Sequence, residues 1–158
     1  MSDRGLELAD GVLVPAPTSN KQCCKEAAMT ARNVLDENKR LVVEFYELAI
    51  NQRKPAEATR KYIELPYRQH NPEVPDGPDG FIQFIGGMQK QHPKLKVAIS
   101  KVLADGDLVV LHVHLTREPD DTGLAIAEFF RLKDAKIIEH WDVVQPVPAT
   151  TASGNSMF

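Results

Sequence analysis

The stretch Lys136-Ile137-Ile138-Glu139-His140-Trp141-Asp142-Val143-Val144 reads as a β-strand, yet it carries an imidazole, an indole and two carboxylates among its apolar residues. Successive strand residues point to opposite faces. Ile138, His140, Asp142 and Val144 are therefore expected on one side, and Ile137, Glu139, Trp141 and Val143 on the other. One side holds a candidate proton-transfer pair, so the strand either lines something or has one wet face.

Working back from this stretch, period-two and short apolar runs recur at Leu95 to Leu103, Leu108 to Thr116 and Leu124 to Leu132. Asp105-Gly106, Glu118 to Gly123 and Lys133-Asp134-Ala135 connect them. Links this short predict an antiparallel meander. Leu65-Pro66-Tyr67-Arg68-Gln69-His70-Asn71-Pro72 is a shorter extended piece, and its prolines suit a sheet edge.

The first half is helical in pattern. Ala27, Ala28, Ala31, Val34 and Leu35, then Leu41, Val42, Phe45, Leu48 and Ala49, recur at helical spacing, as two helices or as one with a break near Asp36. Phe45 and Tyr46 read as packing residues. Pro55 opens a short helix through Tyr62, and another runs over Phe81 to Met88, where Gly86-Gly87 allows a bend or a close approach. Helices followed by a curved antiparallel sheet is the α+β arrangement. The strands are apolar on both faces, so helices should cover one and a second subunit the other.

Length and composition agree with one domain plus tails. The chain has 158 residues, 42% hydrophobic and 26% charged, which suits one folded core. A net charge of -3 with scattered basic residues gives no support for a nucleic-acid partner. No apolar run approaches the roughly 20 residues of a membrane span, and Met1 to Asn20 lacks the basic and apolar parts of a secretory signal. Cys23-Cys24 forms neither a metal-ligand spacing nor a disulfide framework, and both cysteines are poor nucleophile candidates. A cytoplasmic protein is expected, with residues 1–20 a flexible leader, 21–36 a helical extension, 37–148 the main domain and 149–158 a flexible tail.

Polar residues stand at the middles of three consecutive strands: His112 and His114, Glu128, and His140 with Asp142. Ionisable groups on a buried sheet cost free energy unless they are paired or line a wet cavity. A single buried histidine is more often a hydrogen-bonded core residue than a catalyst; together these residues favour a cavity. A two-residue turn at Asp134-Ala135 would place Glu128 opposite Trp141, whereas a three-residue loop with a bulge would place it opposite Asp142. His112, His114, Glu128 and His140 have ligand types suited to zinc or iron, but metal is the lesser expectation and none is assigned.

Several segments, in order and spacing, resemble the SnoaL-like polyketide cyclases of the nuclear transport factor 2-like superfamily. They are Phe45-Tyr46, Tyr67-Arg68-Gln69-His70-Asn71-Pro72, Asp76-Gly77 before Gly80-Phe81, Gly106 to His114, Phe130-Arg131 and Lys136 to Asp142. The resemblance covers about Glu37 to Pro148. It implies a conical barrel in which N-terminal helices pack on a strongly curved antiparallel or mixed sheet around a deep apolar pocket, with a homodimer formed through the sheet.

The resemblance also implies aldol ring closure without metal or cofactor, with a carboxylate taking a proton from carbon. The family's usual acid/base aspartate falls at Glu128, a departure that adds a methylene. The expected catalytic set is Glu128 as acid/base, His114 and His140 orienting it, and Asp142 as second carboxylate; His70, Tyr67, His112, Phe84 and Asn71 are expected to contact substrate. The expected function is a cofactor-independent cyclase or isomerase acting on a small apolar carbonyl compound. A non-catalytic ligand-binding module, or a hydratase or epoxide hydrolase, is the alternative.

Overall fold

The computed structural model describes the backbone of residues 6–9, 12–15 and 20–158, and side chains from Thr30 onward. The chain divides into two units, Met1–Val34 and Leu35–Phe158. In the first, β1 (Leu6–Ala9) pairs antiparallel with β2 (Val12–Pro15), so the expected leader contains a hairpin. The expectations for the rest of that leader and for the thiols of Cys23 and Cys24 lie outside the described residues.

Helix α1 (Asn20–Tyr46) runs through Asp36 without interruption and continues as a π-helical turn, Glu47–Asn51. Its C-terminal stripe carries Val42, Phe45 and Ala49, all fully buried. The Phe45 ring packs against Phe81 at 5.2 Å, Phe130 at 6.0 Å and Tyr62 at 6.2 Å between centroids, joining helices to sheet. A π turn leaves backbone carbonyls without their usual partners. Buried Gln89 supplies them, its Nε2 donating to the carbonyls of Ala49 at 2.9 Å and Ile50 at 3.2 Å. Asn51 then pins the turn to the sheet, exchanging two hydrogen bonds with the backbone of Val97.

Helix α2 (Pro55–Tyr62) starts on its proline, and β3 (Ile63–Gln69) follows directly. Helix α3 (Pro78–Gln91) is continuous through Gly86-Gly87, where a Cβ would meet nothing, so the expected close approach is absent there. Close approach is found instead at Gly80, where a Cβ would stand 2.0 Å from the Pro75 carbonyl oxygen. No described helix is long and apolar enough to cross a membrane.

Strands β4 (Lys96–Asp105), β5 (Leu108–Thr116), β6 (Leu124–Lys133) and β7 (Lys136–Pro146) form the expected meander. The five-stranded sheet has the order β3-β7-β6-β5-β4, with the proline-bearing β3 on an edge and parallel to β7. Two bulges within the meander help to curl the sheet, since an extra residue on one strand increases local bend and twist. One lies at Ser100, between the pairs of Ile99 and Lys101; the other lies at Ile138, between Arg131↔Glu139 and Leu132↔Ile137.

The second bulge settles the register. The β6–β7 turn is a two-residue type I′ turn with Asp134 at φ 50° and Ala135 at φ 60°. By itself it would set Glu128 opposite Trp141, but the unpaired Ile138 moves the pairing by one, to Glu128↔Asp142. Ile137 is consequently buried on the same side as His140 and not beside Trp141. The tail also folds back: Phe158 stacks on His114 at 4.3 Å and on His112 at 5.2 Å.

Ala135 is exposed and held at positive φ, a conformation that costs a non-glycine residue about 1 kcal/mol. Ala135→Gly is expected to raise unfolding stability by about 0.5–1 kcal/mol in urea titration. Unchanged or lowered stability would show that the turn does not hold this conformation.

Candidate active site

The helices close the concave face of the sheet over a cavity of about 160 Å³. Its walls are Ile50, Phe81, Phe84, Ile85, Met88, Leu115, Leu124, Ile126 and Phe130. Its polar lining is made by Tyr46, Gln69, Asn71, Glu73, Glu128, His140 and Asp142.

Each polar residue arrives by a distinct structural route. Glu128 and Asp142 are cross-strand partners, and His140 is the partner of Phe130 two residues away, so all three project to the concave face. Gln69 stands beside His140 in the parallel β3–β7 ladder. Asn71 follows in the loop after β3, and Tyr46 is the last residue of α1 before the π turn.

The hydrogen bonds form one connected set. Glu128 accepts from the Tyr46 hydroxyl on Oε1 at 2.5 Å, and its Oε2 lies 2.5 Å from His140 Nε2. His140 Nδ1 lies 2.7 Å from Gln69 Oε1. Asn71 Nδ2 donates to Asp142 Oδ2 at 2.6 Å. Glu128 and His140 are almost fully buried, at 4% and 7% exposure, and neither would be tolerated there unpaired.

Burial, reinforced by the Glu128 charge, pushes the Tyr46 phenol well above its ordinary value, so it stays a donor. Tyr67 is likewise pushed up, chiefly by burial. Asp142 is half-buried: desolvation raises its carboxyl, the Asn71 hydrogen bond opposes this, and the Glu128 charge adds to it.

The structure therefore brings together Glu128, His140, Asp142, Asn71 and Phe84 from the expected set. It sends His112 and His114 to the other face, because Leu111 and not His112 is the neighbour of Glu128 across β5–β6. His114 Nε2 meets the Thr122 carbonyl at 2.8 Å, and His112 Nδ1 meets Ser100 Oγ at 3.1 Å. Neither histidine reaches the carboxylates, which corrects their expected roles.

His70 is also outside the cavity, stacked on Trp141 at 4.7 Å with Nε2 3.0 Å from Glu139. Tyr67 does not line the cavity; its hydroxyl accepts from Gln69 Nε2 at 3.2 Å. Glu139 is held low by the His70 and Arg131 hydrogen bonds, and its surface pairing accords with its position on the outer face.

Tyr46 and Gln69 are contributors that the sequence reading left out. A tyrosine within an apolar helical stripe has a hydroxyl that must find a partner when buried, which is the available signal for Tyr46. Gln69 has none beyond its place beside His70-Asn71.

One imidazole nitrogen and two carboxylate oxygens, from His140, Glu128 and Asp142, lie within 4.8 Å of one another, a donor set that suits a divalent cation. A metal about 2.0–2.2 Å from both Nε2 and Oε2 in tetrahedral or octahedral geometry would hold them roughly 3 Å or more apart, so those atoms, 2.5 Å apart here, would have to part.

The family model for SnoaL-like polyketide cyclases matches residues 40–152. No curated protein sequence matches the chain. Among solved structures, TsrD from Streptomyces laurentii aligns with a TM-score of 0.58 at 20% identity, covering 69% of this chain and 88% of its own. A candidate SnoaL-like polyketide cyclase from Jannaschia sp. CCS1 aligns at 0.59 and 19%, covering 70% and 86%. A candidate ketosteroid isomerase from Kribbella flavida DSM 17836 aligns at 0.59 and 17%, covering 74% and 84%. At these identities the likeness is one of fold.

Because its carboxyl is raised, Asp142 favours the folded state below the ordinary carboxylate pKa of about 4, and that contribution is lost as pH rises through the raised value. Asp142→Asn keeps an acceptor for Asn71 and removes the charge. It is expected to raise Tm by about 2 °C at pH 7 and to leave it unchanged near pH 3. An equal shift at both pH values would assign the effect to packing.

Proposed function

We propose, since the chain belongs to the SnoaL-like polyketide cyclase family and carries a carboxylate–imidazole cluster at the end of an apolar cavity, that it is a cofactor-independent enzyme of aldol cyclase or isomerase type. It acts on a small apolar carbonyl compound by proton abstraction. The observation that carries this reading is Glu128, almost fully buried among apolar walls, with Tyr46 and His140 each bound to one of its oxygens.

Glu128 takes the proton from the carbon beside the carbonyl, and the C–H electron pair moves into the enolate. Tyr46 and His140 hold the carboxylate in place. Asp142 and Asn71 flank the position where the enolate oxygen forms, with Asn71 as donor and Asp142, when protonated, as a second. Ketosteroid isomerase follows the same logic: there a protonated carboxylic acid donates to the oxyanion.

The apolar wall, Phe84 included, excludes water and selects the substrate's hydrocarbon part. A cavity of about 160 Å³ is close to the roughly 150 Å³ that accommodates a benzene ring, so a single ring or short chain is the size of substrate it accepts.

A binding module is the second reading, favoured by the same observation that both Glu128 oxygens already have partners. Small cyclic ketones in D2O separate the two, because an enzyme exchanges the α-hydrogen for deuterium and a binder does not. Exchange is expected with the native protein, about 10²–10⁴-fold slower with Glu128→Gln and about 10-fold slower with Tyr46→Phe. Exchange unaltered in Glu128→Gln would remove Glu128 from the role of base.

For the outer sheet face, where Val143 is 66% exposed and Leu108, Phe129 and Trp141 line a shallow apolar groove, the proposed occupant is a second copy of the chain. Sedimentation at micromolar concentration is expected to give a dimer, and a monomer would refute it.

A further inference from the structure

The Gln69 side chain makes three polar contacts, and together they determine which nitrogen of His140 carries a hydrogen. Its Oε1 lies 3.0 Å from the backbone nitrogen of Asn71 and 2.7 Å from His140 Nδ1. A backbone N–H only donates, so the Gln69 atom facing it is the carbonyl oxygen. The other end of the amide agrees: its Nε2 donates to the Tyr67 hydroxyl at 3.2 Å. Turning the amide over would set NH₂ against N–H. Since a carbonyl oxygen only accepts, His140 Nδ1 must carry a hydrogen.

That leaves Nε2 facing Glu128 Oε2 at 2.5 Å. Two lone pairs repel at such a distance, whereas one proton between them makes a short charge-assisted hydrogen bond. Oε1 is already occupied by Tyr46, so a turn of the carboxylate does not relieve the contact. The pair consequently holds two protons, one on Nδ1 and one shared between Nε2 and Oε2, and is neutral overall.

We propose that Gln69 is a positioning residue: its carbonyl oxygen holds a hydrogen on His140 Nδ1, so that a second proton bridges His140 and Glu128. Without that oxygen, a neutral imidazole would carry its single hydrogen on Nε2, and the pair would have one proton fewer and a net negative charge. The catalytic consequence rests on the reading of Glu128 as base; the placement of the hydrogen does not. When Glu128 accepts the substrate proton, the locked pair becomes a carboxylic acid beside an imidazolium, which balances the enolate's new charge. The unlocked pair ends neutral and offers the enolate no counter-charge.

The test is a long-range ¹H–¹⁵N correlation spectrum of histidine-labelled protein, with His140 assigned by its loss in His140→Asn. In native protein, hydrogen is expected on both ring nitrogens, the one at Nε2 strongly deshielded. Gln69→Leu is expected to remove the Nδ1 hydrogen, and Gln69→Glu, which keeps an acceptor oxygen, to retain it. For deuterium exchange into a small cyclic ketone, Gln69→Leu is expected to lower kcat about 10–100-fold with KM changed less than about two-fold, and Gln69→Glu to recover most of the loss.

A native spectrum without hydrogen on Nδ1, or an unchanged His140 pattern in Gln69→Leu, would overturn the proposal. The expected spectra with no exchange from any variant, native included, would uphold it and overturn the reading of the cavity as catalytic.

Discussion

One unpaired residue in β7 determines what the interior of this protein contains. Side chains alternate along a strand, so a shift of one residue in pairing exchanges every inward side chain for an outward one. With Ile138 bulged out, Glu128 pairs with Asp142, and His140 lies on the same face. Without it, Glu128 would share a face with Trp141, and the histidine and aspartate would point away from it. Cavity, hydrogen-bond set and outer aromatic surface all follow from that one excess residue. The bulge also bends the ribbon, which helps the sheet to curl around the space it fills.

The polar end survives burial because nearly every member is satisfied by another part of the chain. Glu128 draws on a helix through Tyr46 and on the neighbouring strand through His140; His140 draws on the edge strand through Gln69. Such a network ties three other elements to one carboxylate, so loss of any member leaves a buried polar group exposed to an apolar wall. Asp142 is the exception. Half-buried and bonded through one oxygen to Asn71, it is the carboxylate whose environment disfavours charge. Two carboxylates on adjacent strands thus receive different hydrogen-bond partners within one cavity.

The outer face is organised by different physics. His70 stacks on Trp141, Arg131 joins Asp107 to Glu139, and Phe158 lies across His112 and His114. These contacts are exposed or half-exposed and individually worth little. They account for three histidines that a strand-by-strand reading of the sequence groups with the site.

The sequence alone determined the order of elements from the long helix onward, the antiparallel meander, the edge position of the proline-bearing strand and the family, because periodicity, turn residues and prolines act locally. It also singled out Glu128, His140, Asp142, Asn71 and Phe84, which do share the cavity. What it left open was decided by contacts between residues far apart in the chain. The side of the sheet taken by His112 and His114, the choice between Trp141 and Asp142, and the parts played by Tyr46 and Gln69 depend on register and on side chains meeting across as many as 82 residues of sequence. Alternation says that two residues are on the same side of a strand; only pairing with neighbouring strands says which side that is.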